Sequence, residues 1–113
     1  MGEYRKAIED LDKAISLNTR DQTLEAYSRN ARALAFAGLQ DYKQALTEFE
    51  ASIKLCPENG WVYYNRGLAY EWMGKSNKAL TDFKTALEKK NPPLNAIRRE
   101  RTKARVQQAN RRI

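Results

Sequence analysis

The stretch that decides the fold is Asn-Arg-Gly-Leu-Ala-Tyr at residues 65–70, with a related stretch, Ala-Leu-Ala-Phe, at residues 33–36. Small and aromatic residues in and after each stretch recur at one fixed interval along the chain. The same interval separates the members of three pairs: Phe36 and Tyr70, Ala45 and Ala79, and Phe49 and Phe83. A period of about 34 residues without strand-like alternation indicates a helical repeat array. The sequence therefore predicts an all-α fold of antiparallel helix–turn–helix units.

The offsets have a packing reason. Two antiparallel helices approach closely where each carries a small residue, as Ala33 or Gly67 does on a first helix and Ala45 or Ala79 on a second. An aromatic ring one turn farther along each helix then fills the space beside the crossing. Small residues facing large ones let two helices interdigitate at native packing density.

This pattern resembles the tetratricopeptide repeat, a helix–turn–helix unit of about 34 residues. The resemblance extends over about residues 2–93, as two full copies and a partial third. It implies an α-solenoid with a C-terminal capping helix and a single domain over residues 1–113. Within that domain the expected parts are the second helix of an incomplete unit (2–18), two full units (22–57 and 59–91) and a basic capping helix (92–113).

Composition excludes several classes of protein. The chain of 113 residues has no histidine and one cysteine, Cys56, so a disulfide within the chain, the usual zinc ligand sets and His-based catalytic triads are not expected. No glycine-rich phosphate loop and no apolar run of about 18 residues occurs. The N-terminus lacks the apolar core of a secretory signal. We expect a cytoplasmic protein without enzymatic activity, cofactor or transmembrane segment.

The resemblance also implies a binding groove, because the first helices of successive tetratricopeptide units line a concave surface that holds peptides. A linear peptide with apolar side chains and an acidic or C-terminal carboxylate end would suit it, since aromatic residues dominate binding hot spots. The simpler alternative is that Trp61 and Trp72 only pack on neighbouring helices. The expected groove residues are Tyr27, Asn30, Leu34, Trp61, Tyr64, Asn65, Leu68, Trp72, Asn95, Arg98 and Arg99, with Thr102 and Arg105 following.

Some family members bind chaperone C-termini through a clamp of asparagines and basic residues. Asn65 and Arg99 stand at two of the five clamp positions, whereas the other three hold Asn30, Leu34 and Asn95. Leu34 cannot form a hydrogen bond and the two asparagines carry no charge. A chaperone clamp is therefore not expected.

The whole chain has a net charge of +7, and its basic residues are concentrated in the last 20 residues. They favour an alternative function, binding of nucleic acid or an acidic membrane. Against it, this segment has no aromatic residue for base stacking and only a thin apolar stripe at Leu94, Ile97 and Ala104, typical of a solvated cap. The basic patch comprises Arg98, Arg99, Arg101, Lys103, Arg105, Arg111 and Arg112.

The first predicted helix matches the second helix of a unit and has no first helix before it in the sequence. Ala7, Leu11 and Ala14 would then lie uncovered. Because an uncovered apolar stripe favours association, we expect a homodimer through this helix unless further chain precedes it.

Overall fold

The computed structural model describes residues 2–17, 21–89 and 96–111, and these residues form six α-helices without a β-strand. The predicted all-α fold class is confirmed. The helices are α1 (Gly2–Leu17), α2 (Gln22–Gly38), α3 (Tyr42–Leu55), α4 (Gly60–Trp72), α5 (Ser76–Glu88) and α6 (Ala96–Arg111).

The chain divides into two compact units, Met1–Pro57 and Glu58–Ile113. In the first unit, α2 packs against both α1 and α3, and in the second, α5 packs against both α4 and α6. Early residues of one helix contact late residues of the next, as Ala26 contacts Ser52 while Arg32 contacts Glu48. Paired helices are therefore antiparallel. The organisation of residues 1–113 as one domain stays a prediction.

Helices α2 and α4 end in the same way, at equivalent positions of the repeat. In α2, the Gln40 N–H donates to the Ala37 carbonyl and the Asp41 N–H to the Phe36 carbonyl, both at 2.9 Å. The corresponding bonds in α4 are 2.9 and 2.8 Å long. Both ends place one residue in the left-handed region, Gly74 at φ 76° and Gln40 at φ 65°. Glycine adopts this conformation without strain, whereas glutamine does not.

Helices α2, α3 and α4 each begin with a side-chain cap. Asp21 accepts a hydrogen bond from the Leu24 N–H at 3.0 Å, and Asp41 starts α3 with a longer bond of 3.4 Å from the Gln44 N–H. Asn59 accepts from the Trp61 N–H at 2.9 Å. These caps satisfy backbone N–H groups that have no partner within the helix.

The core of the first unit is built largely of small residues. Ala33 and Ala45 are fully buried, and so is the Phe49 ring. The Ser52 hydroxyl donates to the Ala26 carbonyl at 2.7 Å, which ties α3 to the start of α2. Alanine-rich contact lets the two helix backbones approach closely while one ring fills the remaining space.

In the second unit the corresponding contact is tighter. A Cβ atom at Gly67 would lie 2.6 Å from the Phe83 ring, so only glycine fits there. Tyr64 packs on the same ring with 6.0 Å between centroids. Of the rings expected at the crossings, Phe49 and Phe83 are buried, while Phe36 and Tyr70 are half-buried.

An arginine–carboxylate pair also joins the first and second helix of each helix pair. Arg66 donates to both Asp82 oxygens at 2.8 Å. Arg32 donates to one Glu48 oxygen through Nε at 2.9 Å and Nη2 at 2.6 Å. The two arginines occupy equivalent positions of the repeat, and so do the two carboxylates. Each pair therefore belongs to the repeat, and it satisfies a carboxylate that is 9% exposed at Glu48 and 3% exposed at Asp82.

These pairs keep the guanidinium groups charged. Hydrogen bonds to Asp82 raise the pKa of Arg66 above its ordinary value. Burial lowers the pKa of Arg32, but hydrogen bonds to Asp12 and Glu48 outweigh that effect and leave the pKa raised. A raised pKa in the folded state means that the stability due to the charged guanidinium is present throughout the neutral range and is lost only at strongly alkaline pH.

Helix α1 rests on α2 by one side. A Cβ atom at Gly38 would lie 2.5 Å from the Tyr4 ring, and Arg32 donates to Asp12 at 2.6 Å. The residues expected to be uncovered, Ala7, Leu11 and Ala14, are half-buried, and no described residue of α1 is buried.

Replacing Gln40 by glycine should stabilise the protein. The change removes the left-handed strain of a side chain with a Cβ atom, partly offset by the greater freedom of glycine in the unfolded chain, so we expect a gain of about 0.5–1 kcal/mol. Urea unfolding followed by circular dichroism measures it. The matched control is Gly74→Ala, where a Cβ atom would meet nothing within 4 Å. Gly74→Ala should lower the free energy of unfolding by about 1 kcal/mol. A loss of stability in Gln40→Gly would contradict the strained left-handed conformation of Gln40.

Replacing Arg66 by alanine should destabilise the fold, because it leaves the buried Asp82 carboxylate unpaired. We expect a loss of about 3 kcal/mol, the lower end of the range for buried pairs, since the Arg66 side chain keeps 20% exposure. Lys103→Ala is the control, because its pair with Glu100 is solvent-exposed, and it should change stability by less than about 0.5 kcal/mol. Thermal unfolding measures the stability of both variants. Equal losses of stability would show that the ion pair of Arg66 with Asp82 does not stabilise the fold.

Candidate functional site

Helix α6 packs on the other helices of the second unit through polar and charged side chains. Thr102 is fully buried, and Val106 packs against the cluster that contains Tyr64 and Phe83. The thin apolar stripe expected at Leu94, Ile97 and Ala104 does not mark the packed side, because Ile97 is 66% exposed and Ala104 is also exposed, while Leu94 lies outside the described residues. The packed side of α6 is marked by Arg98, Thr102 and Arg105, which recur at helical spacing.

The start of α6 meets the start of α4 through a cation–π contact. The Arg98 guanidinium carbon lies 4.1 Å from the centroid of the Trp61 ring. Tryptophan is the aromatic residue that attracts a cation most strongly, and arginine can stack on it while its edge still presents N–H donors. This contact places a cation and an indole together on one surface.

The middle of α6 meets the end of α4 through an ion pair. Arg105 Nε lies 3.2 Å from both Glu71 oxygens, and its guanidinium is 5.5 Å from the Phe83 ring. Beside this pair is a cavity of about 150 Å³. It is lined by Glu71, Ser76, Ala79, Leu80, Phe83, Arg105, Gln108 and Ala109.

The expected basic patch is thus partly engaged within the second unit. Arg98 and Arg105 contact α4, and Arg99 donates to the Leu87 carbonyl at 3.3 Å, which satisfies a carbonyl near the end of α5. Arg101 and Lys103 are exposed. The Arg111 side chain and Arg112 lie outside the described residues. Binding of an anionic partner to this patch stays a prediction.

One side of α4 carries Trp61, Leu68 and Trp72, at positions i, i+7 and i+11, which fall on one helix face. We call these three residues the aromatic stripe. Trp61 and Leu68 are half-buried, whereas Trp72 is 48% exposed and is the most exposed of the three. Of the other expected groove residues on α4, Asn65 is half-buried and Tyr64 is buried beneath the surface.

The groove residues expected on α2 belong to the first unit. Tyr27 and Leu34 are half-buried there, and Asn30 is buried. Asn95 lies outside the described residues. Buried Asn30 and Tyr64 present little surface to a ligand, so half-buried Trp61 and exposed Trp72 are the larger contributors. A groove that joins all these residues stays a prediction.

Sequence reasoning missed the polar contacts that hold the helices. The arginine–carboxylate pairs recur with the same period as the rings, and that signal could have identified Arg32 with Arg66 and Glu48 with Asp82. The pairing of Arg98 with Trp61 has no such signal, because α6 departs from the pattern of the other first helices.

The described part of the chain lacks two further features, a cluster of metal ligands and a membrane-spanning helix. Residues 2–17, 21–89 and 96–111 contain no group of three or more Cys, Asp or Glu side chains that could hold a metal ion. None of the helices formed by those residues combines the length and the apolar character needed to cross a membrane.

Comparison with known families agrees with the repeat pattern. A family model described as TPR repeat matches residues 33–74, and two models described as tetratricopeptide repeat match residues 60–90 and 1–21. None of the curated proteins compared with the chain matches it. The matched segments contain the ring positions, the left-handed helix end at Gly74 and all of α1. The chain belongs to the tetratricopeptide-repeat family.

Proposed function

We propose that this protein is a non-enzymatic scaffold that binds an extended segment of a partner protein on the aromatic stripe of α4. Tetratricopeptide repeats generally mediate protein–protein interactions, and proteins built from them are generally scaffolds without catalytic activity. The family therefore supports the class of function, and the second unit supports the choice of surface.

The observation that carries the proposal is the exposed Trp72 at one end of a stripe whose other end is Trp61, stacked on Arg98. Tryptophan contributes a large contact area with little loss of rotamer entropy, and it is enriched in binding hot spots. Nearly half of the Trp72 surface is available without any rearrangement of the unit. An apolar side chain of a partner would bury that surface.

The charges suggest which end of the ligand lies where. Arg98 adds a guanidinium to the Trp61 end of the stripe, whereas the Trp72 end carries the Glu71 carboxylate beside Arg105, and that carboxylate would repel an acidic group of the ligand. An acidic side chain or C-terminal carboxylate of the ligand would thus lie near Trp61, because arginine binds carboxylates through paired N–H donors. Apolar ligand side chains would contact Leu68 and Trp72.

Peptide selection tests the proposal. Peptides selected from a random library against the whole chain should bind Trp72→Ala at least tenfold more weakly, as is usual for a hot-spot tryptophan. Ile97→Ala is the matched control, since it removes an apolar side chain that is more exposed but belongs to α6 and is not part of the stripe. It should change affinity by less than about twofold. Fluorescence anisotropy measures both.

A second comparison tests the carboxylate end. Selected peptides with a C-terminal amide should bind more weakly than those with a free carboxylate if Arg98 receives that group. Equal affinity of all selected peptides for the wild-type chain and Trp72→Ala would exclude the aromatic stripe. Circular dichroism of each variant confirms that the helices are intact.

The remaining expectations stay predictions. These are the anionic partner at the basic patch, the homodimer through α1 and the cytoplasmic location. No arrangement of nucleophile and base in the described residues leads us to propose catalysis.

A further inference from the structure

The cavity of about 150 Å³ in the second unit lies among α4, α5 and α6, and its deepest part is apolar. Phe83 and Ala79 line it there and are buried, while Leu80 and Ala109 beside them are half-buried. An apolar cavity of this size holds a benzene ring in other proteins. The cavity can therefore receive one side chain of a ligand, including an aromatic one.

The mouth of the cavity is polar. Glu71, Ser76 and Gln108 line it with exposed side chains, and Arg105 adds a half-buried guanidinium. The side chains of Ser76 and Gln108 form no hydrogen bond with any residue that the structure describes. Their donors and acceptors are therefore available to a ligand.

The ion pair at the mouth disfavours a charged ligand group. Arg105 Nε lies 3.2 Å from both Glu71 oxygens, so the acid and the base already compensate each other. A carboxylate placed beside them would be repelled by Glu71, and an ammonium group would be repelled by Arg105. Either ion would also lose part of its hydration. The cavity therefore favours a neutral side chain.

A neutral ring with one hydroxyl fits both parts of the cavity. Within the described part of the chain Arg105 forms hydrogen bonds through Nε alone, which leaves its Nη groups as donors. Glu71 accepts from that single nitrogen and keeps further lone pairs. A phenol hydroxyl can donate to Glu71 and accept from Arg105 or Gln108 at the same time. A phenyl ring would instead place apolar surface against these polar groups.

We propose that this cavity binds a tyrosine side chain of the partner segment that lies on the aromatic stripe. The inference rests on the proposed function and names one residue of its ligand. The tyrosine ring lies against Phe83 and Leu80, and its hydroxyl lies between Glu71 and Gln108.

The length of α4 determines where this tyrosine stands in the ligand. Glu71, at the mouth of the cavity, directly precedes Trp72 and follows Trp61 by about three helical turns. That part of a helix is about 15 Å long, a distance that about five residues of extended chain span. With the ligand carboxylate near Arg98 and Trp61, the tyrosine should stand about five residues before it. Peptides selected against the whole chain should be enriched in tyrosine at that position.

N-Acetyltyrosinamide probes the cavity without the rest of the ligand. Added to the isotope-labelled whole chain, it should shift the NMR signals of the Arg105 Nε–H group and the Gln108 side-chain amide. Contacts between its ring protons and the Leu80 methyl groups, measured by the nuclear Overhauser effect, should locate the ring in the wild-type cavity. N-Acetylphenylalaninamide should bind about threefold or more weakly, because it lacks the hydroxyl.

Two matched pairs of variants test the floor and the mouth separately. Ala109→Leu should fill the cavity and weaken binding of N-acetyltyrosinamide about tenfold or more. Ala104→Leu makes the same change at an exposed residue of α6 outside the cavity and should alter affinity less than about twofold. Gln108→Ala should reduce the preference for tyrosine over phenylalanine, whereas Gln107→Ala, at an exposed residue outside the cavity, should keep it. Circular dichroism checks that each variant is helical.

Absence of N-acetyltyrosinamide binding would overturn the inference, and so would ring contacts outside the cavity or equal affinity for the two amides. Equal weakening by Ala109→Leu and Ala104→Leu would overturn it as well. Selected peptides that require Trp72 but bind Ala109→Leu as tightly as the wild-type chain would overturn it and leave the proposed function standing. If the amide binds in the cavity while selected peptides do not require Trp72, the stripe is excluded as the surface of the ligand and the cavity is retained as a tyrosine site.

Discussion

The close approach of two helices at a small residue determines the rest of this structure. Gly67 lies against the Phe83 ring at a distance that excludes a Cβ atom, and Ala33 takes the same place in the first unit. Because the Phe83 ring occupies the space that a side chain would need, the contact favours a register that places a small residue opposite the ring. The turn residues and the aromatic positions follow from that register, and the fixed period of the sequence reflects it.

A buried ion pair accompanies the close approach. Arg66 comes directly before Gly67, and Asp82 comes directly before Phe83. Apolar packing alone would tolerate related registers, since small residues and rings recur along every helix. A carboxylate at the contact penalises each arrangement that leaves it without its arginine. In this chain the apolar contact supplies affinity between helices, and the charge restricts which helix faces which, a role that buried polar groups have in coiled coils.

Much of the fold could be predicted from spacing, because a helix pair imposes short-range rules on its sequence. The period located the rings, and Asn59 and Gly74 are residue types that favour a helix start and a helix end at the places where α4 begins and ends. The packing of α6 could not be predicted in this way. Hydrophobic periodicity assigns apolar residues to the interior, yet Ile97 faces solvent and Thr102 is buried. Arginine breaks the rule because its guanidinium can stack on a ring and pair with an acid while its stem lies on apolar surface.

The candidate site was harder to predict than the fold, for a related reason. A family pattern says which helix lines a surface, but the burial of Asn30 and Tyr64 depends on the neighbours of each side chain in space.

The contact of Arg98 with Trp61 has a particular consequence. The same guanidinium anchors α6 and borders the stripe, so the ordering of the C-terminal helix and the occupancy of that surface are thermodynamically linked. A ligand that contacts Trp61, Trp72 and the Arg98 guanidinium would slow amide hydrogen exchange in α6, including at residues that the ligand does not touch.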